Sequence, residues 1–242
     1  MLHGFRRAPR EPSRPSRSAG RRAALRQIAR GTELLSRGNL AGARASFESA
    51  VRADPDYAPG WNNLGVVRER LGEALEALQH FNQALKLSPA FVDAWCNKGL
   101  ALLHLGRPDR GEECFRAALA LDPKSEIALM NLGILRARGG DLDGAMKLFG
   151  TALEDSPDYP TLWLNLGTAF LEAKNAPRAL QCFNVALSRR PEFPEAWLQK
   201  GRALLNEGSA EDALFCFERA LQIRPAFTEA QRALAIVRET MT

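Results

Sequence analysis

Apolar and small residues recur along the chain with a step of 34 residues. Each step begins with a large apolar residue, and a glycine follows four positions later. Sixteen positions after the large residue comes alanine or glycine, then a phenylalanine, an alanine and a proline. The large residues are Trp61, Trp95, Leu129, Trp163 and Trp197, and the phenylalanines are Phe81, Phe115, Phe149, Phe183 and Phe217. A fixed period of this length indicates a repeat architecture whose units stack on one another.

Each repeat predicts two helices. With the tryptophan numbered as position 4, positions 4, 7, 8 and 11 form one helical stripe, and positions 20, 24, 27 and 28 form a second. Because glycine inside a helix costs about 1 kcal/mol relative to alanine, its recurrence at position 8 predicts the close approach of another helix. The units are residues 24–57, 58–91, 92–125, 126–159, 160–193 and 194–227, followed by a capping helix at 228–242.

The helix ends carry their own signals. Glycine at position 15 is typical of the left-handed turn after a first helix, and repeat 5 has Lys174-Asn175 there, where asparagine can adopt that turn. Proline at position 32 ends the second helix. In the capping helix we expect the apolar side chains to face inward; these are Ala233, Leu234, Ile236 and Val237.

The chain resembles the tetratricopeptide repeat family in its tryptophan, Leu-Gly, alanine, phenylalanine, alanine and proline positions, met six times in register across 219 of 242 residues. The resemblance implies an all-α fold, a right-handed α-solenoid of six helix–turn–helix units with the first helices lining a concave groove. Repeat 1 departs from the pattern with Gln27 at the tryptophan position and Arg30 at the leucine position.

Charge divides the chain at about residue 23. Residues 1–23 hold seven arginines and one glutamate, which gives this segment a net charge of +6. Because the whole chain has a net charge of +5, the remaining residues have a net charge of −1. This arginine-, proline- and serine-rich segment has too few apolar side chains to fold, and we predict that it is disordered. Three roles remain open for it: a mitochondrial transit peptide, a polybasic tether, or a solvated extension. No apolar run is long enough to span a membrane.

Catalytic and metal-binding motifs are missing from the sequence. The three histidines, His3, His80 and His104, are not spaced as metal ligands, and neither a phosphate-binding loop nor a nucleophile elbow occurs. The four cysteines form no CxxC pair, and three of them share position 23 with His80, which indicates reduced thiols in a packing position. We therefore expect a cytoplasmic protein that is not an enzyme and binds no cofactor or metal.

The candidate binding residues lie on the first helices, opposite the tryptophan stripe. Position 6 carries an amide in five repeats: Asn63, Asn97, Asn131, Asn165 and Gln199. An amide side chain both donates and accepts, so one amide per repeat can hold a peptide backbone. This row resembles the asparagine ladder of O-linked N-acetylglucosamine transferases, which binds peptides mainly by their backbone. The alternative is that each asparagine forms a hydrogen bond within or between repeats.

Positions 5, 9 and 13 complete the expected groove. Its further candidate residues are Asn62, Leu100, Met130, Ile134, Leu164, Arg70, Arg138 and Arg202. An exposed apolar stripe of this kind marks an interaction site, unless neighbouring first helices cover it. The family's carboxylate clamp, which holds acidic C-terminal tails, is not expected because positions 2 and 5 carry no basic residue.

Two hypotheses of function follow. In the first, the protein is a non-catalytic scaffold that binds a peptide segment of a protein partner in the groove. In the second, it is an electrostatic adaptor: the basic N-terminal segment binds nucleic acid or anionic membrane, and the repeats self-associate into a homo-oligomer.

Overall fold

A computed structural model describes residues 17–241, which form thirteen α-helices and no strand. The helices are α1 (Arg17–Ser36), α2 (Leu40–Ala53), α3 (Ala58–Arg70), α4 (Ala74–Leu87), α5 (Val92–His104), α6 (Pro108–Leu121), α7 (Glu126–Arg138), α8 (Leu142–Asp155), α9 (Pro160–Glu172), α10 (Ala176–Arg189), α11 (Pro194–Asn206), α12 (Ala210–Ile223) and α13 (Thr228–Met241). The predicted all-α helical-repeat fold is confirmed.

The chain divides into two compact units after Arg107. The first unit contains α1–α5 and the second contains α6–α13, so the boundary falls inside the third repeat. Within each unit every helix packs against the next one along the chain. First helices of neighbouring repeats also contact each other, in the pairs α1 and α3, α3 and α5, α7 and α9, and α9 and α11. No helix within residues 17–241 is long and apolar enough to cross a membrane.

The two helices of a repeat meet at a glycine and a phenylalanine. A Cβ atom added to Gly65 would lie 2.5 Å from Cε1 of Phe81, and the same contact recurs at Gly31, Gly133, Gly167 and Gly201. The phenylalanine rings are at most 1% exposed. Glycine at position 8 is therefore required by the close approach of the second helix, as its recurrence in the sequence predicts.

Each tryptophan joins its repeat to the preceding one. The indole Nε1 donates to the carbonyl of the proline six residues earlier, over 2.7–2.9 Å. In α13 the equivalent residue is Gln231, whose Nε2 donates to the Pro225 carbonyl over 2.8 Å. The capping helix therefore occupies the place of a first helix in a seventh unit.

One side chain of α13 does not follow the prediction. Val237 is buried and Leu234 is half-buried, but Ile236 is 61% exposed. Ile236 stands at position 9, on the side where a following first helix would pack, and no described helix follows α13. Its predicted inward orientation is wrong for this reason.

The turn between the two helices of a repeat uses a left-handed residue at position 15. The glycines there have φ values of 69–85°. In repeat 5 the residue with positive φ is Lys174, at 59°, and not Asn175 as the sequence suggests. Asn175 instead caps α10, where its side chain accepts a hydrogen bond from the Arg178 amide.

The first helix begins earlier than the composition predicts. Residues 17–23, assigned to the disordered segment, form the first two turns of α1, so the prediction is wrong for these residues. Tertiary contacts stabilise this extension. Gly20 packs directly on the Ala53 carbonyl. Arg21 forms an ion pair with the buried Asp54, and its guanidinium carbon lies 4.1 Å from the ring centre of Tyr57. Residues 1–16, the remainder of that segment, lie outside the described residues.

Candidate peptide-binding surface

The position-6 amides differ in how their hydrogen bonds are satisfied. In the first unit, Asn97 Nδ2 on α5 donates to Asn62 Oδ1 on α3 over 3.0 Å. In the second unit, Asn131 is 8% exposed and its Nδ2 donates to the Ile127 carbonyl one turn earlier, over 2.7 Å. Asn97 therefore forms a hydrogen bond between repeats, and Asn131 forms one within its own repeat. A continuous peptide-binding ladder of these amides stays a prediction.

Asn165 is the exception among these amides. Its Nδ2 is buried and has no hydrogen-bond partner among the residues that the structure describes. The side chain borders a cavity of about 180 Å³ between α7 and α9, which we call the α7–α9 cavity. Its lining residues are Ile134, Ala137, Arg138, Phe149, Asn165, Thr168, Ala169 and Glu172. Because a buried donor without a partner is unfavourable by about 1–3 kcal/mol, this amide is an unsatisfied group at the edge of a cavity.

The register between neighbouring first helices explains why Asn165 is unpaired. Asn62 and Asn97 are 35 residues apart, one more than the repeat, so position 5 of one repeat meets position 6 of the next. The same step leads from Asn165 back to Met130, whose side chain offers no oxygen. The pairing that satisfies Asn97 is therefore not available to Asn165.

Position 5 is more buried than the sequence analysis expects. Asn62 and Leu198 are 6% and 4% exposed, and Met130 and Leu164 are half-buried. These side chains lie between adjacent first helices, because the first helices of neighbouring repeats pack against each other. At position 9, Leu100 and Ile134 are half-buried, and Ile134 lines the α7–α9 cavity. Asn63 and Gln199 at position 6 are half-buried as well.

The three predicted arginines are all exposed. Arg70 lies at the end of α3 in the first unit, and Arg138 lines the α7–α9 cavity together with the exposed Glu172. Arg202 lines a second depression of about 310 Å³ with Arg232 and Ile236. Sequence reasoning missed Glu172, which shares position 13 with Arg138. In the described part of the chain neither residue is in an ion pair, so both charges remain available to a ligand.

A histidine and a glutamate form a second pair between first helices. His104 Nδ1 on α5 lies 2.7 Å from Glu69 Oε1 on α3, and His104 is 68% exposed. These residues are also 35 apart, which joins positions 12 and 13. The pair is not evident from the sequence, because equivalent residues of the repeats are 34 apart.

The cysteines occupy buried sites. Cys114, Cys182 and Cys216 at position 23 are buried, as is Cys96 at position 5. Burial raises the pKa of the Cys182 and Cys216 thiols to about 11. At neutral pH these two groups are protonated and poorly nucleophilic, which agrees with a packing role.

The fold and its recurring contacts define a helical-repeat protein whose first-helix residues form the candidate site. Models of the tetratricopeptide repeat match residues 28–91, 96–160, 137–200 and 170–237. The chain belongs to the tetratricopeptide repeat family. The search of curated proteins found no match.

Several solved structures share the fold. A chain of the APC/C hetero-tetramer Cut9–Hcn1 has a similar structure, with a TM-score of 0.82 and 21% sequence identity; the match covers 88% of this chain and 42% of that chain. The type IV pilus biogenesis factor PilW has a TM-score of 0.78 and 24% sequence identity, and the match covers 87% of this chain and 98% of that chain. YrrB, a tetratricopeptide repeat protein with an unusual peptide-binding site, has a TM-score of 0.60 and 19% sequence identity. The match covers 77% of this chain and 96% of that chain. At these identities the similarity shows the fold alone.

Proposed function

We propose that the protein is a non-catalytic scaffold that binds an extended segment of a protein partner along its first helices, with the α7–α9 cavity as the main contact of the second unit. Tetratricopeptide repeats generally mediate protein–protein interaction, and YrrB, which has a similar fold, has a peptide-binding site. A cytoplasmic location suits the four buried thiols.

The unpaired Asn165 amide carries the proposal. Its Nδ2 lacks an acceptor within the described residues, and rotation of the amide into the cavity would bring it to a main-chain carbonyl, the acceptor that every bound peptide offers. A cavity of roughly 150 Å³ holds a benzene-sized molecule, so the α7–α9 cavity can accept one aliphatic or aromatic side chain beside that carbonyl. The peptide thus contributes a hydrogen bond and an apolar contact at the same place.

Charged groups at this cavity give the bound segment a direction. Arg138 and Glu172 stand at position 13 of successive first helices, and both are exposed. An acidic side chain of the peptide would pair with Arg138, and a basic one with Glu172. Gln199 on α11 is the next amide in the second unit. With helices roughly 8–10 Å apart and about 3.3 Å per extended residue, it would meet the peptide about three residues beyond Asn165.

The test compares two asparagines at the same repeat position. Peptides selected from a random library against the folded protein would be measured by fluorescence anisotropy with Asn165→Ala and Asn131→Ala. Losing one hydrogen bond of about 1 kcal/mol should weaken binding to the Asn165 variant about fivefold. Asn131→Ala should bind within twofold of the parent, since that amide already donates to its own helix.

Thermal unfolding of both variants shows whether the fold is intact. The proposal is contradicted if Asn165→Ala binds the selected peptides as tightly as the parent protein does. It is also contradicted if both variants lose the same affinity, because an effect shared by both positions reflects a general disturbance of the first helices.

A further inference from the structure

Phe215 interrupts the repeat pattern on a second helix. Position 22 is Ala45, Gln79, Glu113, Lys147 and Gln181 in the first five repeats and phenylalanine in the sixth. Phe215 is 57% exposed on α12, so it does not serve the core. An apolar ring at a site that the other repeats fill with polar residues or alanine adds exposed apolar surface outside the core.

The ring stands against a tryptophan that is itself half-exposed. Phe215 and Trp197 meet edge to face, with ring centres 6.1 Å apart and planes at 82°. The Trp197 indole is held in place by its hydrogen bond to the Pro191 carbonyl. The two rings form an apolar surface, and tryptophan is one of the residues enriched at the centre of protein interfaces.

Two cations adjoin this surface. The ammonium of Lys200 lies 5.4 Å from the Trp197 ring centre, and the guanidinium carbon of Arg219 lies 6.0 Å from it. Position 7 is leucine in repeats 2, 4 and 5 and lysine in repeats 3 and 6, and Lys98 lies 5.1 Å from the Trp95 ring centre. Repeat 3 has Glu113 at position 22, so repeat 6 differs from it in combining the lysine with Phe215. Within the described residues neither cation is in an ion pair with a carboxylate; Arg219 donates to Gln222. We call Trp197, Lys200, Phe215 and Arg219 the aromatic–cationic patch.

Nearby acids limit the kind of partner that fits. Glu211 and Asp212 lie in the first turn of α12, four and three residues before Phe215, while Glu218 pairs with Arg238. A continuous polyanion, such as a nucleic acid or an anionic membrane, would meet repulsion from that turn. A peptide can place one carboxylate beside the cations and no negative charge beside the acids.

We propose that the aromatic–cationic patch binds an acidic peptide segment of a partner protein, with an apolar side chain on Phe215 and a carboxylate between Lys200 and Arg219. This surface lies on α11 and α12 and is separate from the α7–α9 cavity. The chain's own N-terminal segment is not a suitable occupant, because residues 1–16 carry four arginines and one glutamate.

The indole signals of the tryptophans give a direct test. A labelled protein with ¹⁵N-tryptophan would be titrated with a peptide of alternating leucine and aspartate. We expect the Trp197 signal, assigned with Trp197→Phe, to shift, and the Trp61 signal to stay, since position 22 of the Trp61 repeat is the polar Gln79. A peptide with asparagine in place of aspartate should bind about tenfold more weakly, as should one with serine in place of leucine.

Matched variants separate the patch from general exposure. Phe215→Gln introduces the residue of repeats 2 and 5 and should weaken binding about tenfold. Leu75→Gln removes an equally exposed side chain, 57%, from α4 and should leave binding unchanged. Lys200→Leu introduces the residue of repeats 2, 4 and 5 and should weaken binding of the aspartate peptide more than that of the asparagine peptide.

Several results would overturn the proposal. These are the absence of a Trp197 shift at millimolar peptide, equal losses for Phe215→Gln and Leu75→Gln, and equal binding of the aspartate and asparagine peptides. A Trp197 shift with oligothymidine or anionic vesicles but not with the peptide would point to a polyanion instead. A shift that depends on protein concentration alone would point to self-association of this chain.

Discussion

Replacing Gly133 by alanine tests the contact that brings the two helices of repeat 4 together. A Cβ atom there would lie 2.5 Å from Cε1 of Phe149 and 2.9 Å from its Cζ. Phe149 is 1% exposed, so the ring has little room to move. Gly150 on α8 offers a control in the same repeat, because a Cβ atom at that position would have no neighbour within 4 Å.

The expected magnitude combines two opposing effects. Alanine in place of glycine inside a helix gains about 1 kcal/mol at either position. Overpacking costs typically about 1–3 kcal/mol, and ring atoms below 3.0 Å favour the upper part of that range. Gly133→Ala should therefore lower the free energy of unfolding by about 1–2 kcal/mol, whereas Gly150→Ala should raise it by about 1 kcal/mol.

Urea unfolding followed by far-ultraviolet circular dichroism measures both variants, with midpoints compared at a common slope. The Phe149→Leu background shows the cause of the loss. Without the ring, Gly133→Ala should stabilise by about 1 kcal/mol, which gives a coupling of about 2–3 kcal/mol between the two positions. If both glycine variants stabilise equally, or if the coupling is absent, the helices do not meet at this contact.

Three further predictions concern single residues. Lys174→Gly should raise the free energy of unfolding by up to about 1 kcal/mol, because a φ of 59° is unfavourable for a residue with a Cβ atom; an unchanged or lower urea midpoint would contradict this. Burial and the nearby Arg68 lower the pKa of His80, so the unfolded chain binds more protons than the folded chain as the pH falls below about 6.5. The free energy of unfolding should therefore decrease as the pH is lowered. His80→Cys, which introduces the residue of repeats 3, 5 and 6, should reduce this dependence in urea titrations at neutral and mildly acidic pH. The thiols of Cys182 and Cys216, with pKa values of about 11, should react with a disulfide reagent at pH 8 at least about a hundredfold more slowly in the native protein than in concentrated urea, and equal rates would show that they are accessible.

Much of the fold could be predicted from the sequence because the residues that form the main contacts recur in each of the six repeats. The glycine at position 8 and the phenylalanine sixteen residues later predict a close helix pair, and the structure has that pair. The turn at Lys174 could not be predicted in the same way, because the chain offered asparagine and lysine at adjacent positions. The start of α1 also escaped prediction, since the Arg21 pairing with Asp54 joins residues far apart in sequence.

The candidate site was predictable only in part. The 34-residue period placed Asn165 and its equivalents on the first helices, but it did not distinguish among them. Asn97 and Asn131 form hydrogen bonds with nearby groups, and Asn165 does not. The distinction depends on the 35-residue step between neighbouring first helices, which the repeat pattern does not contain.

The sequence by itself determined the repeat, the order and approximate ends of the helices, and the stripe that each helix buries. These follow from periodicity, because a residue's position in its helix fixes which side of that helix it occupies. The tertiary structure decided which side chains remain unsatisfied or exposed: Asn165 beside a cavity, Phe215 beside Trp197, and Ile236 at the end of the described helices. Those outcomes depend on the neighbouring helix as much as on the residue, so they appear only when the helices are packed together.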